Sequence, residues 1–132
     1  IEVNKAKANY VTCLADDNLF DSIYTQYCVV NNLPVLSSLA KDKLDKEIEL
    51  DKFSTNEPIK FNKIFNNKDI KLIASIENLI ARGELIRSQY NQNITSPDGE
   101  FIGANINEAV SYFKNPENNS ITNAYFNKLK NI

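Results

Sequence analysis

The sequence predicts a mainly α-helical protein: a small single-domain helical bundle of four to five helices that covers residues 1–132. Apolar residues recur at three- and four-residue spacing through most of the chain, as they do on one face of a helix. Capping residues and prolines divide this pattern into pieces of helix length. A chain of 132 residues with 42% hydrophobic content is also long enough for one domain with its own core.

The first helical region, residues 3–31, has two interpretations. An apolar stripe runs through nearly the whole segment and favours one long helix; it consists of Val3, Ala6, Tyr10, Cys13, Phe20, Tyr24 and Tyr27. Only Asp17 interrupts this stripe, and it stands beside Asp16. They are good N-cap residues and poor helix formers, so they favour a break into two shorter helices.

Whether the two cysteines, Cys13 and Cys28, can form a disulfide depends on which interpretation holds. In one continuous helix they would lie about 22 Å apart along the axis, which is beyond the reach of a disulfide. A strongly angled connection around residues 13–17 would let them form a disulfide, as exported proteins often do. The other interpretation is that each is a small buried apolar side chain.

The second helix is predicted to begin near Pro34, which ends the first region and suits a first-turn position. Its predicted apolar face consists of Leu36, Leu39, Leu44 and Ile48. Residues 47–65 then alternate apolar and polar side chains around a turn-like segment. This pattern fits a short β-hairpin around 47–65, or a helix end followed by a loop and a helical turn. A lone hairpin needs something to pack on, so we rank it second.

The strongest predicted helix covers residues 68–91. Its apolar stripe consists of Leu72, Ile76, Leu79, Gly83, Ile86 and Tyr90. Gly83 within that stripe is expected to cost about 1 kcal/mol relative to Ala.

The last third of the chain carries clear turn and cap signals. Pro97-Asp98-Gly99 is typical of a tight turn, and a short extended piece is expected at 100–103. Asn105 and Glu108 form a predicted capping box that opens a helix ending near Lys114. A final helix is expected over residues 120–130.

Several classes of chemistry are excluded by what the chain lacks. It has no histidine, so a Ser-His or Cys-His nucleophile is excluded. The three glycines are scattered and form no phosphate loop. We therefore predict no cofactor and no metal. A net charge of -2 gives no reason to expect nucleic acid as a partner, and no apolar run is long enough for a transmembrane segment.

These exclusions predict a non-enzymatic protein-binding domain whose partner is another protein. We expect a preformed helical surface, and the predicted partner-binding residues are Tyr24, Tyr27, Ile94, Asp98 and Phe101. A chain that starts at Ile1 without a methionine, and carries paired cysteines, favours an exported bacterial protein of accessory, inhibitor or immunity type. The expected location is periplasmic or secreted.

Two alternatives stay open. The first is a carboxylate-dependent hydrolase acting on a glycan, which needs two acidic residues across a cleft and one of raised pKa. The local acidic pairs Asp16–Asp17, Glu47–Glu49 and Asp98–Glu100 are its candidates. The second is a subunit fragment of a larger secretion or adhesion assembly.

Overall fold

The computed structural model describes residues 1–130, and 69% of these residues are helical. The prediction of a mainly α-helical protein is confirmed. Within the described residues there are eight α-helices and one three-stranded sheet, so the predicted number of four to five helices is too low. No helix in this range is both long and apolar enough to cross a membrane.

The chain divides into two compact units, Ile1–Ala74 and Ser75–Ile132. Helix α6, Ile70–Ala81, carries the chain from the first unit into the second. Compactness does not measure whether a segment folds independently. The single domain over residues 1–132 therefore stays a prediction.

The first unit contains five helices before α6: α1 Glu2–Leu14, α2 Asp17–Val30, α3 Val35–Leu39, α4 Lys43–Asn56 and α5 Pro58–Phe65. Helix α1 packs against α4 and α5, while α2 packs against α3 and α5. The core between them is rich in aromatic side chains. Phe20, Tyr24 and Phe61 are fully buried, and the rings of Tyr27 and Phe53 meet edge to face with centroids 5.0 Å apart.

The first helical region is broken, as the two acidic residues indicated. Asp16 has an extended backbone, and its Oδ1 accepts a hydrogen bond of 3.1 Å from the Leu19 N–H. This bond satisfies one of the backbone donors left open at the start of α2. The interpretation with two shorter helices is therefore confirmed.

The disulfide that an angled connection would allow does not form: Cys13 and Cys28 are both free thiols, and both are buried. Cys13 lies at the end of α1, close to the start of α2. Cys28 is eleven residues along α2, which places it about 16 Å further along the axis. The alternative of two buried apolar side chains holds, and burial raises the pKa of the Cys13 thiol to about 12.

Two expectations for residues 34–65 are wrong. The predicted second helix is divided between α3 and α4, and this break changes the face that α4 buries. The buried side chains of α4 are Lys46, Leu50, Phe53 and Ser54. Leu44 and Ile48 on α4 are therefore exposed, and Leu36 on α3 is exposed as well. The hairpin around 47–65 is absent because α4 and α5 occupy that segment. Pro58 takes a first-turn position of α5, where its missing N–H costs nothing.

The second unit contains a three-stranded sheet, of which the sequence indicated only the third strand, as the extended piece at 100–103. Helix α6 ends at Ala81, and Gly83 has φ +77°, the left-handed region. The Gly83 N–H donates to the Ile80 carbonyl at 3.1 Å, and the Glu84 N–H donates to the Leu79 carbonyl at 2.9 Å. This pair of bonds is a Schellman motif, which ends a helix. The predicted helix over 68–91 is therefore too long at its C-terminal side.

Three short antiparallel strands follow in the order β1 Ile86–Arg87, β2 Ile94–Thr95 and β3 Phe101–Gly103. The predicted turn joins β2 to β3, and the Gly99 N–H donates to the Ser96 carbonyl at 3.0 Å. Helix α7, Ile106–Lys114, begins at the predicted capping box. The Glu108 N–H donates to Asn105 Oδ1 at 2.9 Å, while Glu108 Oε1 accepts from the Ala104 N–H at 3.0 Å. A 3-10 turn, Pro116–Asn118, leads into α8, Asn119–Lys130.

Candidate functional site

Two of the predicted partner-binding residues are inside the protein. Tyr24 and Ile94 are both fully buried, so the folded chain does not present them to a partner. Tyr24 faces the core because α2 packs its aromatic stripe inward, and its hydroxyl donates to Glu49 Oε2. Ile94 lies on the covered side of the sheet. The prediction is corrected for these two residues.

The other three predicted residues differ in how far they reach the solvent. Tyr27 is half-buried, and its ring packs on Phe53 and on Tyr24. Asp98 and Phe101 are exposed in the second unit. Binding through these three residues stays a prediction; Asp98 and Phe101 are three residues apart in the chain of the second unit.

Phe101 belongs to an exposed row across the sheet. Thr95 on β2 pairs with Ile86 on one side and with Phe101 on the other. Directly paired residues of an antiparallel sheet lie on the same face. Ile86 is 47% exposed and Phe101 is 56% exposed. We call Ile86, Thr95 and Phe101 the sheet surface.

The opposite face of the sheet is fixed to the helices behind it. Arg87 on β1 donates to both carboxylate oxygens of Glu77 on α6, at 3.1 and 2.6 Å. Glu77 is only 5% exposed, and a bidentate pair of this kind holds both side chains in one geometry. On β3, Gly103 lies so close to α7 that a Cβ atom would come within 2.6 Å of the Ala109 nitrogen. The strands that carry the sheet surface are therefore held in place by α6 and α7, and we call these contacts the base of the sheet.

The borders of the sheet surface carry an aromatic residue and two acidic residues. Tyr90 lies in the loop between β1 and β2 and is 98% exposed. Asp98 and Glu100 lie in the turn between β2 and β3, where the Glu100 N–H donates to Ser96 Oγ at 3.0 Å. The negative charge of this turn also acts on Tyr125 of α8. The pKa of Tyr125 lies above its usual value, mainly because of burial; Lys128 opposes the increase, and the carboxylates of Glu100 and Asp98 add to it. The turn is thus an acidic border next to an apolar row.

Sequence reasoning missed Ile86 and Tyr90 as surface residues because it assigned both to the stripe of a long helix. The signal that would have separated them is Gly83. Glycine is typical of the position just past a helix C-terminus, and a stripe that continues past such a glycine is no longer on one helix.

A groove lies on the first unit, and none of its lining residues is a predicted site residue. Its volume is about 400 Å³, and its lining consists of Gln26, Val30, Asn31, Lys60, Lys63, Ile64, Asn67, Ile70 and Ile73. The lining contains two lysines and no acidic residue, and we call this feature the lysine groove. Gln26 Oε1 is buried without a hydrogen-bond partner, the one such side-chain atom in the described part of the chain.

The hydrolase alternative requires carboxylates across a cleft, and the lysine groove has none on its lining. A smaller hollow of about 300 Å³ is lined by Lys41, Asp45, Ile48 and Glu49. Burial acts to raise the pKa of Glu49, but hydrogen bonds from Lys41 and Tyr24 outweigh it, and the pKa lies below its usual value. A general acid needs the opposite shift. Among residues 1–130, no three potential ligands of the His, Cys, Asp or Glu type lie together.

Comparison of this chain with protein-family models, with curated proteins and with solved structures finds no match.

Proposed function

We propose that this chain is a non-enzymatic protein-binding domain and that its partner contacts the sheet surface. The observation that carries the proposal is the exposed pair Ile86 and Phe101, placed on either side of Thr95 on one face. Large apolar side chains grouped on a surface are typical of binding sites, and aromatic residues are enriched at the centre of interfaces.

The base of the sheet supports this proposal. The Glu77–Arg87 pair and the close approach of Gly103 to α7 hold the strands in place before any partner arrives. Binding to a preformed surface avoids the entropy cost of ordering loops at the interface. Tyr90 adds an exposed aromatic ring, and the acidic turn at Asp98 favours a partner with basic residues at its edge.

This proposal moves the partner-binding site from the helical surface expected from the sequence to the sheet. The free, buried Cys13 and Cys28 give no support to an oxidising compartment. A periplasmic or secreted location remains part of the proposal only as an expectation from the sequence.

A photo-crosslinking experiment tests the proposal. A photoreactive phenylalanine analogue replaces Phe101 in cells of the source organism, and the matched control carries it at Ile59, which is 67% exposed on the first unit. We expect one protein to crosslink at position 101 and not at position 59. The identified protein is then purified, and calorimetry compares the wild-type chain with Phe101→Ser and Ile59→Ser.

Truncating a central apolar anchor costs on the order of 2 kcal/mol of binding, so Phe101→Ser is expected to weaken the affinity about thirtyfold. Ile59→Ser is expected to leave it unchanged. Equal crosslinking at both positions, or equal affinities of the two variants, would refute the sheet surface as the binding site.

A further inference from the structure

The lysine groove is built by one face of each of three helices. Gln26 and Val30 are four residues apart on α2, and Ile70 and Ile73 are three apart on α6. On α5 the lining residues Lys60, Lys63 and Ile64 follow the same spacing. Residues three and four apart lie on one side of a helix, so each helix turns a single face towards the groove.

The floor of the groove is apolar. Ile64, Ile70 and Ile73 are buried by the protein except for a small fraction of their surfaces, and Val30 is exposed at the edge. A volume of about 400 Å³ lies within the range of small-molecule sites, which are mostly apolar with a few polar groups. This floor suits an aliphatic chain better than a polar ring.

The charge on the lining is positive. Lys63 forms no ion pair within the described residues. Lys60 lies 3.8 Å from Glu57, and both side chains are more than 40% exposed, so that pair is weak. Two ammonium groups beside an apolar floor, with no acidic residue on the lining, complement a single anionic head group. The Gln26 amide can turn towards such a head without losing a hydrogen bond at its oxygen.

We propose that the lysine groove binds a linear aliphatic carboxylate, with the carboxylate between Lys60 and Lys63 and the chain on Ile64, Ile70 and Ile73. The site lies on the first unit and is independent of the sheet surface, so either proposal can fail without the other.

Isothermal titration of the full chain with octanoate and decanoate, each below its micelle-forming concentration, tests the proposal. Burying one more methylene contributes about 0.8 kcal/mol, so we expect the affinity to rise about fourfold for each added methylene. Decanol supplies the same chain without the charge and is expected to bind at least tenfold more weakly. Higher ionic strength is expected to weaken decanoate binding.

The double variant Lys60→Gln with Lys63→Gln is expected to weaken decanoate binding about tenfold, because it removes two contacts worth somewhat under 1 kcal/mol each. The matched control is Lys7→Gln with Lys52→Gln, which changes the net charge equally at exposed positions outside the groove. It is expected to bind like the wild type. Circular dichroism confirms that both variants are folded.

Three results would overturn the proposal: no saturable binding of decanoate, equal binding of decanol and decanoate, or equal loss in the groove variant and its control. A third variant, Val30→Asp, places a negative charge at the groove edge without disturbing the floor. It is expected to weaken decanoate binding and to leave decanol binding unchanged.

Discussion

The two units of this protein differ in whether aromatic side chains also form an exposed surface. In the first unit Tyr10 and Tyr24 pack in the core, and their hydroxyls have internal partners. Tyr10 donates to the Glu47 carbonyl and Tyr24 donates to the Glu49 carboxylate. In the second unit, Tyr90 and Phe101 point into the solvent. Aromatic residues therefore stabilise the cores of both units, since Phe113 is buried in the second, but among the described residues only the second unit also exposes them.

The difference follows from the secondary structure that carries these residues. A helix with aromatic residues every three or four positions turns all of them to one side, and that side is covered by neighbouring helices. A strand of two or three residues must place neighbouring side chains on opposite faces. Ile94 is therefore covered, while its neighbour Thr95 and the partners of Thr95 face outward. Aromatic content alone does not locate a binding surface.

The largest effect that separates the two units is expected from matched phenylalanine truncations. Phe53→Ala in the first unit removes a buried ring that contacts Tyr27 and Phe61, and we expect it to lower the free energy of unfolding by about 4 kcal/mol. Phe101→Ala in the second unit is expected to change it by less than about 0.5 kcal/mol. Urea unfolding followed by circular dichroism measures both. Equal losses would show that Phe101 is a core residue and would remove the contrast.

The parts of the fold that could be predicted are those that depend on local chemistry. Asp16 as a cap, the turn at Pro97 to Gly99 and the capping box at Asn105 each involve a side chain bonding to a backbone within a few residues. Such bonds form wherever the chain has the right residues in the right order. They therefore appear in the structure where the sequence indicated them.

The parts that were missed depend on contacts between distant segments. Lys46 is buried although lysine is normally on the surface, because its ammonium donates to the Leu39 carbonyl and lies over the Tyr24 ring. No spacing rule indicates this. The sheet surface was missed because Ile86 continues the spacing of α6 past Gly83, and periodicity alone does not register that the helix has ended. Of the predicted site, Phe101 lies on the sheet surface that we propose and Asp98 lies in the turn that borders it.

Breaking the base of the sheet is expected to have the second largest effect. Glu77→Gln removes the charge that faces Arg87 and leaves the guanidinium partly buried without compensation. We expect the free energy of unfolding to fall by about 3 kcal/mol. Glu84→Gln, which breaks the exposed pair with Lys128, is the control and is expected to cost under about 1 kcal/mol. If the two variants were equally stable, the ion pair would not hold the sheet in place.

Two glycines of the second unit allow a finer test of how closely the sheet lies on α7. In Gly103→Ala the new methyl group would lie 2.6 Å from the Ala109 nitrogen, and we expect a loss of about 2 kcal/mol as the strand moves away. In Gly99→Ala no atom lies within 4 Å, so only the backbone strain at φ +92° acts, and about 1 kcal/mol is expected. Thermal unfolding ranks the two. A larger loss at Gly99 would mean that turn geometry, and not the close approach to α7, limits the sheet.

The smallest effect concerns the acid sensitivity of the first unit. Burial acts to raise the pKa of Glu49, but the hydrogen bonds from Lys41 and Tyr24 outweigh it and lower the pKa below its usual 4.5. The stabilisation is therefore fully present above pH 4.5 and is lost as the pH falls through the lower pKa of the folded state. Glu49→Gln should remove this loss, which we expect to be under about 1 kcal/mol, while the exposed control Glu57→Gln should retain it. Urea unfolding at several pH values between about 6 and about 3 measures the difference. If Glu49→Gln lost as much stability in acid as Glu57→Gln, the hydrogen bonds from Lys41 and Tyr24 would not stabilise the ionised Glu49 carboxylate in the folded state. Tyr24 would then be held in the core by packing alone, and it would differ from the exposed Phe101 only in its burial.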